Sequence, residues 1–254
     1  MIAEQDIVVA GGGMVGISLA LQVWDDLQEG LCPIESIHVS SRGRFGSTVM
    51  RAQDYGWPAL GYVVENAWLG NALVQALYRQ GRVEIRSPAR VVGATADDRG
   101  MRLRLDGGEP EEIRAGLLLV ADGANSGLRD ALGVAVEEKP YRQHALIANI
   151  ASAQPHGGCA FERFTDEGPL ALLPLLGADN RSALVWTLPP EQADHLQRCS
   201  PEDFLQRLQL RFGYRLGRLL QVGERHSYPL SLVQSAEQVR QGVVVMGNAA
   251  HSLH

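Results

Sequence analysis

The chain opens on a short apolar run, Ile7-Val8-Val9-Ala10, that passes directly into Gly11-Gly12-Gly13-Met14-Val15-Gly16. That spacing predicts a buried strand, a tight turn and a helix whose N-terminus faces an anion. Gly11 allows the turn, Gly13 lets backbone approach a pyrophosphate, and Gly16 lets the helix pack closely on the strand. Taken alone the loop is weak evidence, because the same glycines also make a plain packing corner. Two more apolar runs end in turn motifs. Leu117-Leu118-Leu119-Val120-Ala121 leads into Asp122-Gly123-Ala124-Asn125-Ser126-Gly127-Leu128-Arg129, and Val243-Val244-Val245-Met246 leads into Gly247-Asn248-Ala249-Ala250-His251. Three strand-end motifs in this order are hard to obtain by chance.

Between them the pattern is legible in outline. Met14, Val15, Ile17, Leu19, Leu21, Val23 and Leu27 give the stretch after the glycines a helical apolar face. Asn66 to Gln80 reads as a helix with Leu69, Leu73, Ala76 and Leu77 on one side. Residues 83–86, 89–96, 101–105 and 112–116 are short runs broken by turn residues, which predicts a small antiparallel meander. From Tyr141 the character shifts to longer strands at Ala145–Ala151, Leu170–Leu176 and Ser182–Leu188. A helix then starts at Ser200, with Pro201 at its first position and Phe204, Leu205, Leu208 and Phe212 as its buried stripe. The expected layout is a first domain over 1–140, a second over 141–228, and a return to the first over 229–254.

With 254 residues, 45% of them hydrophobic, the chain can fill a sizeable core. A formal net charge of −6 without basic clustering argues against nucleic acid as the main partner. Cys32, Cys159 and Cys199 are odd in number and far apart, which fits a reducing cytosol. The opening residues lack a signal-peptide pattern and no run reaches membrane-span length, so the protein is expected in the cytoplasm, with any membrane contact peripheral. His251 and His254 have no Cys or carboxylate cluster beside them, so no metal is expected.

At its three strand-end motifs the chain resembles the flavoprotein aromatic hydroxylases, which carry an N-terminal GxGxxG, a central DGxxSxxR and a C-terminal Gly-Asp/Asn-Ala-Ala-His. Within that family it resembles most the 2-octaprenyl-6-methoxyphenol hydroxylases of ubiquinone biosynthesis. The specific stretches are Ile37-His38-Val39-Ser40-Ser41-Arg42-Gly43-Arg44-Phe45-Gly46, Ala52-Gln53-Asp54-Tyr55-Gly56, Leu60-Gly61-Tyr62-Val63-Val64-Glu65-Asn66, and Phe161-Glu162-Arg163-Phe164-Thr165-Asp166-Glu167-Gly168-Pro169-Leu170. The resemblance implies an α/β fold: a Rossmann-like FAD-binding domain, its sheet mainly parallel with a small antiparallel meander, plus a mixed-sheet substrate domain. It implies an FAD-dependent monooxygenase that hydroxylates a polyprenylated phenol with NAD(P)H and O₂. The membrane surface and other ubiquinone-biosynthesis proteins are the partners it suggests.

The resemblance also implies cofactor contacts at Gly11, Gly13, Gly16, Glu65, Asn66, Asp122, Gly123, Arg129, Gly247 and Asn248. Each has a plainer reading. Asn248 would hydrogen-bond a ribityl hydroxyl or serve as a helix N-cap. Asp122 would lie near the pyrophosphate or the nicotinamide, or only precede a turn. Arg129 would touch cofactor or be a solvated surface residue. Glu65 and Asn66 would flank the flavin ring or merely begin a helix. Trp24, Trp57, Trp68 and Trp186 read as core or interface, with Trp186 a candidate pocket wall. Because the flavin carries the chemistry, no catalytic side chain is nominated.

Two departures stand out. A Rossmann site places an acid at the end of its second strand to hold a ribose hydroxyl, and here Asp25, Asp26, Glu29 and Glu35 all fit poorly. The family's acid-bearing strand has no counterpart near Leu21–Trp24, and its glycine-rich continuation would follow His254. The expectations are that the sequence is part of a longer protein and that as it stands it binds FAD weakly or not at all. A rival reading makes Ile37-His38-Val39 the second strand, with Arg42 on the 2′-phosphate of NADP, hence a nicotinamide-dependent reductase. A flavoprotein remnant without enzymatic activity is the third possibility.

Overall fold

A computed structural model describes residues 3–19, 21, 27–107 and 111–252. Its strands are β1 (Ala3–Ala10), β2 (Cys32–Ile34), β3 (Ser36–Ser41), β4 (Ser47–Arg51), β5 (Gly61–Val63), β6 (Arg90–Asp97), β7 (Gly100–Asp106), β8 (Glu111–Val120), β9 (Val136–Ser152), β10 (Cys159–Phe164), β11 (Pro169–Pro174), β12 (Arg181–Leu188), β13 (Leu219–Val222), β14 (His226–Ser235), β15 (Val239–Arg240), β16 (Val243–Val245) and β17 (His251–Ser252). Packing divides the chain into two units. One comprises Met1–Leu27, Leu69–Lys139 and Ser231–His254, the other Gln28–Trp68 and Pro140–Leu230.

In the first unit β8 is the hub. One of its edges pairs along its length with β1, in parallel from Ala3↔Ile113 to Ala10↔Val120. The other edge is shared: β7 takes Glu111–Ala115 antiparallel, and β16 takes Leu118–Val120 in parallel. β6 extends this sheet beyond β7, and β15 beyond β16. The parallel core is therefore three strands wide among the described residues, narrower than the mainly parallel sheet expected. The burial of β8 changes phase along the strand: Ile113 and Ala115 are buried on one side of the pleat and Leu118 and Val120, of opposite parity, on the other, and all four belong to one core with Leu103, Leu128, Val243 and Val245.

The runs 112–116 and 117–121, read from sequence as separate strands, form one continuous strand. β1 pairs with it without a shift of register from Ile113 to Val120, although the buried positions change parity between Ala115 and Leu118. Residues 83–86 alternate like a strand but pair with none among the described residues; instead Arg86 bonds Glu84 at 2.8 Å and Glu111 at 2.7 Å. Of the predicted helix after the glycines the structure describes Met14–Leu19; Val23, Asp25 and Asp26 lie outside the described residues.

The second unit holds a mixed sheet in the order β9-β12-β11-β10-β3-β4, with β13 also on β9. One face carries Leu146, Ile150, Leu170, Leu172, Leu184 and Trp186, packed against helices Pro190–Arg198 and Pro201–Phe212. The Ser200 hydroxyl caps the second helix by accepting the Asp203 N–H at 3.1 Å, and Phe204, Leu208 and Phe212 are its buried stripe. Trp186 is fully buried and meets Phe204 edge to face at 6.3 Å, so it is core and not a pocket wall. Trp57 is exposed and stacked on Tyr55, while Trp68 fills the space beside Gly30. Trp24 lies outside the described residues.

Residues 28–68, assigned by sequence to the first domain, belong to this second unit because β3 pairs in parallel with β10, from Ser36↔Cys159 to Ser41↔Phe164. The partner is more than a hundred residues away, beyond the reach of local pattern.

Candidate functional site

The glycine loop is shaped by two close backbone approaches. A Cβ built on Gly11, where φ is +131°, would stand 2.3 Å from the Ala121 carbonyl oxygen, so the turn leaves no room for a side chain. One on Gly16 would stand 2.0 Å from the Gly11 carbonyl oxygen, so the helix lies directly on the turn. Gly12 and Gly13 have nothing within 4 Å of the same position. They border a cleft of about 1100 Å³ lined by Gln5–Gly13 along β1, by Asp122, Gly123 and Asn125, and by Arg82–Arg86.

The second and third motifs converge on the same loop. Ala121 donates its N–H to Ala10 at 2.8 Å, and Met246 donates to Val120 at 3.0 Å, so all three strand ends are joined. Ser126 caps the short helix Gly127–Ala131 by accepting the Arg129 N–H at 3.0 Å. Asp122 is exposed at the cleft and accepts the Leu128 N–H at 3.4 Å. Gly247 abuts the helix after the glycines, its Cβ position 2.8 Å from Val15. Asn248 lies inside the turn Gly247–Ala249 and is exposed; Met246 takes the cap position, so Asn248 is not the N-cap of its alternative reading.

Arg129 is neither solvated nor in the cleft wall. Its guanidinium is buried and donates to the carbonyls of Ala124, at 3.2 Å, and Ala249, at 3.0 Å. That ties the second motif to the third, making Arg129 a positioning residue. Sequence reasoning missed this because Ala249 is 120 residues downstream. Glu65 and Asn66 fall in the second unit, both exposed, with Glu65 3.2 Å from Arg181.

The structure also bears on the departures. Among the described residues β1 has β8 as its one strand partner, and Ile7 on β1 is 56% exposed. β3 pairs with β10 and β4, so Ile37-His38-Val39 is not a second Rossmann strand and the reductase reading loses its basis. Glu29 lies in a turn of the second unit. No acid at a second strand end is found among the described residues, while the phosphate half of the site fits: open glycines, close backbone, and flanking turns held in register.

The second unit has a half-open sheet face opposite its helices. Cross-strand register aligns Ile147, Val185, Ala171, Glu162 and Val39 in one row. Glu162 is the carboxylate in this apolar row, half-buried, and burial pushes its carboxyl above the usual range. The alternation of FERF with its neighbours was the available signal, but register with β11 and β3 was needed to use it.

Residues 54–254 match the FAD binding domain family. The chain belongs to that family. It is 34% identical over 232 residues to the ubiquinone hydroxylase UbiL of Rhodospirillum rubrum, covering 91% of this chain and 53% of that protein. It is 31% identical over 254 residues to the 3-demethoxyubiquinol 3-hydroxylase of Escherichia coli, covering 99% and 64%. The chain thus spans about half to two thirds of the length of these relatives. Its fold matches the crystal structure of the p-nitrophenol 4-monooxygenase PnpA from Pseudomonas putida DLL-E4 with a TM-score of 0.73 at 18% identity, covering 99% of this chain and 74% of that one.

Proposed function

We propose that this chain is the FAD-binding and substrate-binding part of a monooxygenase that hydroxylates a polyprenylated phenol, with NAD(P)H as reductant and O₂ as oxidant. The observation that carries the cofactor reading is the contrast within the glycine loop: Gly11 and Gly16 are closed by backbone while Gly12 and Gly13 are open to the cleft. In this reading Gly13 gives backbone access to the pyrophosphate, and Asp122, Gly123, Gly247 and Asn248 supply polar groups around it. When bound, the flavin supplies the oxygen chemistry. The protein binds, orients and excludes water.

The substrate reading draws on the two ubiquinone-related relatives and on the half-open row of Ile147, Val185, Ala171 and Val39. Such a row gives an apolar floor for an aromatic ring, and Glu162 within it can accept a phenolic hydrogen bond. In this reading the protein works in the cytoplasm or at the face of the inner membrane, where a lipid-tailed substrate resides. No helix among the described residues is long and apolar enough to cross a membrane.

Turnover by the full protein, loaded with FAD, decides the substrate class. Phenols with long tails should show higher kcat/KM than short-tailed ones. Equal values would mean the tail makes no productive contact and would remove the lipid-substrate reading. A full protein that takes up no FAD would leave only the remnant reading.

A further inference from the structure

In the second unit, the turn between β3 and β4 is Arg42-Gly43-Arg44-Phe45-Gly46, and Phe45 at its tip is 109% exposed. A hairpin tip that holds a phenylalanine wholly in water gains nothing for folding, since no apolar area is removed from solvent. The arginines around it are concentrated. Arg42 lies 3.3 Å from the Asp166 carboxylate, which Arg211 shares at 3.2 Å, and Arg207 and Arg211 both reach Glu167. Arg163 donates to Ser40 at 3.0 Å and to the Arg211 carbonyl at 2.9 Å, which brings the helix Pro201–Phe212 beside β3. Four arginines are thus linked around two carboxylates, Arg44 lies two residues from Arg42 in the turn, and Arg215 is close enough to Arg163 to act on its charge, in a chain whose net charge is −6. Burial, and then the like charges of Arg215 and Arg42, hold Arg163 below the usual guanidinium range, so these arginines are near enough to act on one another. Along the same helix end, Leu210 and Tyr214 stand exposed between Arg207, Arg211 and Arg215.

We infer that this face is a membrane-docking surface: Phe45 enters the interfacial region of an anionic bilayer while Arg42, Arg44 and the helix-end arginines engage its lipid phosphates. An apolar side chain flanked by cations, with an exposed tyrosine beside them, is the composition that binds at a lipid interface. A protein partner would bury this patch against carboxylates and would not discriminate between lipids. The inference stands on the surface alone, and its test needs neither flavin nor substrate, so it can fail while the proposed reaction survives.

The test is cosedimentation of the chain with vesicles of phosphatidylcholine alone and of an equimolar mixture with phosphatidylglycerol. The chain is expected to bind the mixture and largely ignore the neutral vesicles. Arg44→Gln should weaken binding about fivefold, the effect of one surface cation near an anionic bilayer. Phe45→Ala should weaken it by at least as much, with a loss that persists in salt, whereas the arginine effect shrinks. Both positions are exposed and should leave thermal unfolding unchanged, which separates lost docking from lost fold. Equal binding to the two vesicles, or wild-type affinity in both variants, overturns the inference. So does failure to bind either vesicle, which would hand the patch to a protein partner.

Discussion

A single methyl group placed at three positions of the glycine loop should have three different consequences. In an open helix interior, Gly→Ala gains about 1 kcal/mol. At Gly16 that gain is outweighed, because the new carbon would stand 2.0 Å from the Gly11 oxygen and 3.3 Å from a Val9 methyl. Carbon contacts are optimal at about 3.5–4.0 Å, and overpacking of this kind costs about 1–3 kcal/mol or more. Gly16→Ala should therefore lose about 1–2 kcal/mol net. Gly11→Ala meets the Ala121 oxygen at 2.3 Å and also strains a φ of +131°, adding about 1–3 kcal/mol for the backbone; a loss of about 3–5 kcal/mol is expected. Gly13→Ala enters open space and should leave stability unchanged or raise it by about 0.4–1 kcal/mol through the unfolded chain. Urea unfolding of the three variants gives the order directly. In the protein loaded with FAD the ranking of function departs from that of stability: Gly13→Val should fold and lose the flavin. Gly16→Ala as stable as wild type, or Gly13→Ala as damaging as Gly16→Ala, would refute the assignment of packing and open glycines.

Arg129→Met removes two charge-assisted bonds, each worth about 1.5–3 kcal/mol, but the Ala249 carbonyl keeps the Ser235 hydroxyl at 3.1 Å. A loss of about 2–3 kcal/mol is expected, lowering Tm by roughly 4–10 °C. Asp130→Asn, which removes an exposed partner 3.5 Å away, should cost under about 1 kcal/mol; if the two variants melt alike, the tie between motifs carries no stability. Glu162 has its carboxyl raised by burial, so ionising it opposes folding, and that cost is present above the ordinary value of 4.5 and absent below it. Glu162→Gln should accordingly raise Tm at pH 7 and match wild type near pH 3, and a gain equal at both pH values would show that the carboxylate is not desolvated. His38 is held below its usual range by burial and by Arg215 and Arg163. Stability tied to its neutral form is complete above 6.5 and declines as pH falls below that, so His38→Gln should flatten this decline; an unchanged slope between pH 7 and 5 would count against it.

What the sequence disclosed and what it hid follows from the distance over which each feature is determined. Gly11 and Gly16 were readable because the positive φ of the first and the approach of the second to the Gly11 oxygen arise within six residues of chain, whereas the Ala121 oxygen that also closes Gly11 lies 110 residues away. The capped helix at Ser200 was readable for the same reason: cap, proline and stripe lie within one element. The single strand β8 was split in the reading because Gly116 resembles a break and the buried positions change parity there, and only its two-sided pairing with β1, β7 and β16 shows that the strand runs through. Arg129 looked like a surface residue because its acceptor lies 120 residues away, and residues 28–68 looked like part of the first domain because their partner strand, β10, is equally remote. The same rule holds for function. The glycine-loop cleft of the first unit, proposed above to take the pyrophosphate, is built from three strand ends and is legible as motif. The row in the second unit, proposed above as a substrate floor, exists only when five strands are in register, so Glu162 becomes a candidate only when Ala171 and Val39 are placed on either side of it.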